Sequence, residues 1–324
     1  MALLGQRITG EVQMTTMTRR SLLKLSATAG AVTGLALPSA AHAAQVKNLV
    51  VVGQNGNLNI VTPGGAMLMY YQQSWQTGSG GFLGPFHNGN GFDAFGWIAS
   101  CGVGYSYDNL YVCVNGSGVW GYYWKAGPQA WANGGAPVRI AGSSGGGWGD
   151  LGNLISGGYV AESNVPGGST FYTIDFYGRL YWHKFQGVPG EGGDWAANSG
   201  RQIGRGWESF RYVTASPSGA MYGVDSSGNI RWYRYEYPTS GNGDTWRPGS
   251  GAIIGSGWYG GTYGYQTVQS AGVDWDSGVG ANGGLYMVDK NGSLRWNEHL
   301  DWYGGAPNWR YPTGGGRIIG TGWM

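Results

Sequence analysis

Residues 210–258 read FRYVTASPSGAMYGVDSSGNIRWYRYEYPTSGNGDTWRPGSGAIIGSGW, and this stretch decides the fold. Phe210-Arg-Tyr-Val213 reads as a strand, and a short turn leads to a second strand, Met221-Tyr-Gly-Val224. Asp225-Ser-Ser-Gly228 is a turn into a third strand, Ile230-Arg-Trp232-Tyr233. A Gly-rich loop reaches Asp244-Thr-Trp246, and the stretch closes on Ile253-Ile-Gly255-Ser-Gly257-Trp258. Short runs with period-2 alternation, bounded by Gly, Asp and Ser, are the mark of antiparallel strands.

The same unit recurs along the chain. The turn glycine returns at Gly65, Gly118, Gly178, Gly228 and Gly292. A midpoint tryptophan returns at Trp75, Trp131, Trp195, Trp246 and Trp309. A closing Gly-x-Gly-aromatic group returns at Gly89 to Phe92, Gly145 to Trp148, Gly204 to Trp207, Gly255 to Trp258 and Gly320 to Trp323. Five anchored copies define modules at about 46–92, 93–148, 149–207, 208–258 and 259–324. Four-stranded units of this length are propeller blades, and a blade buries its two faces only by stacking on neighbours. The expected fold is all-β: a five-bladed β-propeller with four antiparallel strands per blade. The first module starts at Asn48-Leu-Val-Val-Val52 with no closing group ahead of it, and the chain stops just after Trp323. The C-terminal segment is therefore expected to sit beside the first module and close the ring.

Composition agrees with this reading. Gly is 66 of 324 residues, aromatics are 15% and charged residues only 11%. A glycine-rich chain this aromatic, without a Gly-X-Y period, is neither collagenous nor disordered. The net charge of +2 gives no basic field for nucleic acid.

Residues 1–43 read as an address. Thr18-Arg-Arg-Ser-Leu-Leu-Lys24 is a twin-arginine pattern, an apolar stretch runs from Leu25 to Leu37, and Ala41-His-Ala43 supplies small residues for cleavage. The expected location is extracellular or periplasmic, with no membrane span after signal removal. Without this segment, 15 basic residues face 16 acidic ones, so the positive charge belongs to the address.

Cys101 and Cys113 lie in the first two strands of the second module. A disulfide between them and two buried thiols are both open readings, since an exported protein can keep a disulfide. No metal or redox spacing surrounds them, and no cofactor is expected.

No catalytic constellation stands out. Asp175, Asp225 and Asp289 each precede a turn glycine by three and read as hairpin residues whose carboxylates bond backbone N–H groups. His87, His183 and His299 share no module position and no ligand spacing, and His183 reads as a surface strand residue. Asp274-Trp-Asp276-Ser-Gly278 occurs once and lacks the remaining ligands of a calcium loop. A glycosidase needs two carboxylates facing each other across one bond, and the modules are alike in Gly and Trp instead. The chain is not expected to be an enzyme.

Repeated aromatics beside polar groups suit a sugar, which offers one apolar face and a rim of hydroxyls. Asp244 stands two residues before Trp246, Asp194 directly before Trp195 and Asn308 directly before Trp309. The candidate carbohydrate-binding residues are Asp194, Trp195, Asp244, Trp246, Asn308, Trp309, Trp75, Trp131, Trp207 and Trp258. The competing reading is that the midpoint and closing tryptophans only fill space between blades.

The modules resemble the tachylectin family of five-bladed propeller lectins. The resemblance rests on Gly178-Arg-Leu-Tyr181, Gly228-Asn-Ile-Arg231, Asp244-Thr-Trp246, Ile203-Gly-Arg-Gly-Trp207 and Ile319-Gly-Thr-Gly-Trp323. It implies binding of N-acetylglucosamine or N-acetylgalactosamine with one site per blade, on a multivalent glycan surface. Asp-x-Trp occurs only once, and Ser74 and Ala130 precede the tryptophan in the first two modules, so two or three working sites in modules three to five are expected. A monomer satisfies this reading. The alternatives are a non-catalytic structural or protein-binding propeller and, behind it, a propeller glycoside hydrolase.

Overall fold

Five sheets, each built from strands consecutive in sequence, form the chain. The computed structural model describes residues 49–324 apart from 54–55, 104–105, 143–145, 163–164, 262–263, 272–282 and 313–314. The expected export signal and the Asp274 to Gly278 loop lie outside the described residues.

Blade 1 holds β1 (Leu49–Val52), β2 (Asn57–Val61), β3 (Met67–Ser74) and β4 (Ser79–Gly89). Blade 2 holds β5 (Trp97–Val103), β6 (Ser106–Asn115), β7 (Gly118–Lys125), β8 (Ala130–Trp131) and β9 (Val138–Ala141). Blade 3 holds β10 (Leu151–Glu162), β11 (Val165–Asp175), β12 (Leu180–Gln186), β13 (Asp194–Trp195) and β14 (Arg201–Gly204). Blade 4 holds β15 (Phe210–Ala215), β16 (Ala220–Asp225), β17 (Ile230–Arg234) and β18 (Ala252–Gly255). Blade 5 holds β19 (Thr267–Ser270), β20 (Gly284–Val288), β21 (Leu294–Glu298) and β22 (Arg317–Gly320). All pairings are antiparallel. In blades 2 and 3 the fourth position is split between two short strands that both pair with the third.

The first strands touch in cyclic order: β1 with β5, β5 with β10, β10 with β15, β15 with β19, and β19 with β1. This is a five-bladed β-propeller. Each of the five core clusters joins one blade to the next. Ile155, Tyr172 and Trp182 of blade 3 meet Val213, Met221 and Tyr235 of blade 4, for example. The ring closes as the sequence implies, but by packing rather than by a shared strand. Trp323 lies 5.0 Å from Tyr70 and 5.4 Å from Phe82, both in blade 1.

A second set of tryptophans wedges the blades apart at fixed spacing. Trp182, Trp232 and Trp296 occupy the same third-strand position, each opposite a tyrosine of the second strand, and all are fully buried. A loop glycine of the following blade lies on each ring: Gly241 on Trp182, Gly305 on Trp232 and Gly78 on Trp296. A Cβ at any of them would stand 2.2–2.3 Å from the indole. The glycines are thus required by close approach. Blade 2 has Gly121 at the wedge position, and Pro189 of blade 3 fills the space.

The turn aspartates do what their spacing suggests. Asp225 Oδ1 accepts the N–H groups of Ser227 (3.0 Å) and Asn229 (2.9 Å). Asp175 and Asp289 repeat the arrangement with Tyr177 and Arg179, and with Asn291 and Ser293. Burial works against the charge of Asp225 and Asp289. Hydrogen bonds, including those from Asn229 in the first case and Arg295 in the second, nonetheless hold both carboxyls below the usual range.

One open reading is decided and one expectation is corrected. Cys101 pairs opposite Leu110 and Cys113 opposite Ile98. Leu110 and Cys113 are three residues apart, an odd number, so the thiols point to opposite faces of the sheet. Cys101 packs toward blade 3 and Cys113 toward blade 1, both buried and free. There is no disulfide between them, and burial pushes the Cys101 thiol up to about 12. His183 is not a surface residue: it is 1% exposed, 4.5 Å from the Trp148 ring and 2.9 Å from Thr173 Oγ1. Blade 3 packs against blade 2 on that side, so a polar ring on an outer strand is covered.

Candidate functional site

Each blade carries a bulge at the same place in its fourth position, and the site grows from it. Leu180 pairs with Gly204 and Tyr181 with Gln202, which leaves Ile203 outside the ladder. The same irregularity leaves out Asn88, Ile140, Ile254 and Ile319 in the other blades. A bulged residue is unpaired by its own sheet. The freed carbonyl of one blade accepts the midpoint indole N–H of the next. Trp195 Nε1 donates to Ile140 O at 2.7 Å, Trp246 Nε1 to Ile203 O at 3.0 Å, and Trp309 Nε1 to Ile254 O at 2.7 Å. Trp131 Nε1 donates likewise to Asn88 O.

The closing aromatic of the earlier blade lies beside this midpoint ring. Ring centroids are 5.7 Å apart for Trp148 and Trp195, 5.6 Å for Trp207 and Trp246, and 5.2 Å for Trp258 and Trp309. The backbone explains why the closing aromatic and the turn glycine recur together. The amide N–H groups of Phe92, Trp207, Trp258 and Trp323 donate to the carbonyls of Gly65, Gly178, Gly228 and Gly292.

The closing tryptophans are buried as side chains, but their donors are free. The indole N–H groups of Trp207, Trp258 and Trp323 make no hydrogen bond among the described residues, and none is fully enclosed. Gly204, Gly255 and Gly320 stand before these nitrogens. A Cβ on them would lie 2.7, 3.1 and 2.6 Å from Nε1. A side chain there would collide with the indole, so each glycine lets the donor edge of the closing tryptophan pack directly on its own strand. Blade 2 has Ala141 at the corresponding position, opposite Val119 as Gly204 is opposite Leu180. Blade 1 closes on Phe92, whose ring has no N–H.

The sequence-predicted residues divide accordingly. Trp131, Trp195, Trp246 and Trp309 are half-buried between blades, and their N–H groups are committed to the neighbouring blade. Asp194, Asp244 and Asn308 are exposed beside them, although Asp194 also accepts the Trp195 amide N–H at 2.7 Å. Trp207 and Trp258 are 4% and 7% exposed and offer an edge rather than a face. Trp75 does not occupy the midpoint position. Gln72 pairs with Phe82 as Phe185 pairs with Trp195, so Phe82 is the equivalent residue, and Trp75 is buried beside Trp296. Blade 1 has a long, continuous fourth strand, and its one tryptophan drew the alignment out of register. Trp323 and the three glycines escaped notice as site residues, although the closing Gly-x-Gly-Trp motif was the available signal.

The carboxylates near these grooves serve structure. Asp108 accepts the Ala126 N–H at 2.7 Å, Asp301 those of Gly304 and Ala306, and Glu298 pairs with Arg310 at 2.6 Å. Among the described residues no three His, Cys, Asp or Glu side chains gather as a metal site. None of their helices is long and apolar enough to cross a membrane.

The Tachylectin family model matches residues 165–273. That segment runs from β11 through blade 4 into β19 and contains both sides of the Trp207 and Trp246 groove. Comparison with curated proteins finds no match. Among solved structures, a mutant of AofleA from Arthrobotrys oligospora is 11% identical with a TM-score of 0.43, covering 81% of this chain and 70% of that one. A mutant Aleuria aurantia lectin in complex with Fucalpha1-6GlcNAc is 12% identical with a TM-score of 0.40, covering 78% and 75%. A Hadza microbial sialidase is 9% identical with a TM-score of 0.43, covering 85% of this chain and 59% of that one.

Proposed function

We propose that this chain is a secreted glycan-binding protein that holds neutral sugars in the grooves between blades, without chemical change to them. The observation that carries the reading is the free indole N–H of Trp207, Trp258 and Trp323 behind Gly204, Gly255 and Gly320. A sugar hydroxyl or an acetamido carbonyl is an acceptor that can meet such a donor. The half-buried Trp246 or Trp309 ring lies alongside, and Asp244 or Asn308 adds a polar group at the rim. The Tachylectin match over 165–273 supports the same class of ligand and favours N-acetylated hexosamines. The twin-arginine pattern at Arg19 and Arg20 supports export. Two grooves, Trp207 with Trp246 and Trp258 with Trp309, carry the whole set, the Trp323 groove has Phe82 in place of the midpoint tryptophan, and several weak sites on one ring raise avidity by roughly 10²–10⁴ on a multivalent surface.

The test is to replace Trp207, Trp258 and Trp323 together with phenylalanine. A six-membered ring stays at each position, the N–H groups lost make no bond among the described residues, and circular dichroism reports whether the variant is folded. Binding to immobilised N-acetylglucosamine and N-acetylgalactosamine is expected to fall at least about tenfold. Undiminished binding by the folded variant overturns the assignment. Gly204→Ala, whose methyl would stand 2.7 Å from Trp207 Nε1 and displace that ring, is expected to silence its groove in the same way.

A further inference from the structure

The outer face of blade 4 carries an arrangement that the grooves above do not use. Tyr235 and Trp246 bridge the third and fourth positions and face blade 3. Their neighbours Arg234 and Arg247 are joined by an N–H to carbonyl bond of 2.8 Å and face blade 5. Like charges opposite each other across strands are destabilising. Blade 5 shows the self-neutralising alternative at the same place, Glu298 opposite Arg310 with a 2.6 Å ion pair.

The two arginines share one carboxylate. Glu236 lies 3.3 Å from Arg234 Nη1 and 3.5 Å from Arg247 Nη1. Each guanidinium has five N–H donors, and Arg234 Nε is enclosed with no acceptor among the described residues. Tyr303 of blade 5 stacks on both, with its ring centroid 4.2 Å from the Arg234 guanidinium carbon and 3.8 Å from that of Arg247. The ring is 48% exposed. Its loop is fixed: Asp301 accepts the Gly304 and Ala306 N–H groups, and Trp302 O accepts Trp232 Nε1 at 2.9 Å. A rigid, half-open cluster with one uncompensated positive charge and an aromatic face is suited to an anionic group on a ring.

We propose that Arg234, Arg247 and Tyr303 form a second binding site, between blades 4 and 5, for the anionic oxygens of an acidic sugar, a carboxylate or a sulfate. This rests on the reading of the protein as glycan-binding but uses side chains apart from the tryptophan donors. Arg247 provides the accessible fork, Tyr303 the surface against the sugar ring, and Arg234, only 13% exposed, the charge behind them. Glu236 orients both guanidiniums and leaves the surplus charge to the ligand.

The experiment compares the full mature chain on polygalacturonate, dextran sulfate and uncharged dextran surfaces. Retention on polygalacturonate is expected, sensitive to salt, and absent on dextran. Arg247→Gln, a change at a partly exposed side chain, is expected to lower that retention at least about tenfold. It should leave binding to immobilised N-acetylglucosamine unchanged, which also reports that the variant is folded. The Trp207, Trp258 and Trp323 to phenylalanine variant should show the reverse pattern. Retention on dextran sulfate that falls equally with Arg247→Gln supports recognition of any anionic oxygen, and retention on polygalacturonate alone supports the carboxylate. If neither polymer is retained, or if retention survives both Arg247→Gln and Arg234→Lys, the proposal is overturned.

Discussion

The seam between blades 3 and 4 and the seam between blades 5 and 1 are built from the same positions and held differently. At the first, Trp182 donates to Pro238 O at 2.9 Å and Trp246 to Ile203 O at 3.0 Å. At the second, Trp296 fills the wedge position but its buried N–H has no acceptor among the described residues, and Phe82 stands where a midpoint tryptophan would donate. The closing seam relies on apolar packing around Trp75 and Trp323 and on a 2.5 Å bond from Tyr286 OH to Gln72. The blade shape is therefore set by apolar and glycine positions common to all repeats, and the indole hydrogen bonds are added where the sequence affords them.

Removal of a wedge is the strongest way to probe this difference. Trp182→Ala is expected to cost about 3–5 kcal/mol in urea unfolding. Trp182→Phe should cost about 1 kcal/mol more than Trp296→Phe, because only the former gives up a hydrogen bond. Equal costs would break the comparison.

Acid should act on another seam. His183 stands against Trp148 where the closing seam has Tyr70 against Trp323. Burial lowers the His183 pKa to about 3, whereas an unfolded histidine takes up its proton near 6.5. The stability held by the neutral ring is complete above that value and is lost as pH falls from about 6.5 towards 3, by at most about 1.4 kcal/mol per unit. Unfolding midpoints across this range should show the loss, and His183→Gln should flatten that part of the profile.

Phe82→Trp sharpens the contrast from the other side. It supplies the missing indole opposite the bulge at Ile319 and should stabilise the chain by about 1 kcal/mol in the same unfolding assay. The smallest expected effect is none: reductant should leave the melting temperature unchanged, and thiol titration should find Cys101 and Cys113 unreactive when folded and both reactive in denaturant.

Much of this was legible beforehand. Turn glycines, alternating strands and closing Gly-x-Gly-aromatic groups recur along the chain because every blade must turn and stack in the same way. Asp175, Asp225 and Asp289 were legible for the same reason, since a carboxylate caps its own turn through local backbone. Residues that depend on which face they occupy were not. The two cysteines are one pleat out of step, His183 is covered by a neighbouring blade, and Trp75 is displaced by the register of the long β4.

The sequence by itself determined the number of blades, their strand order and the return of Trp323 to the first module, because these follow from local periodicity and turn chemistry. Only the tertiary structure decided the use of each tryptophan. A midpoint indole becomes structural once the neighbouring blade's bulge presents a carbonyl to it. A closing indole packs its edge on a glycine of its own strand and meets no acceptor among the described residues. Both outcomes depend on atoms brought together across a seam between blades, and no spacing within one repeat encodes that encounter.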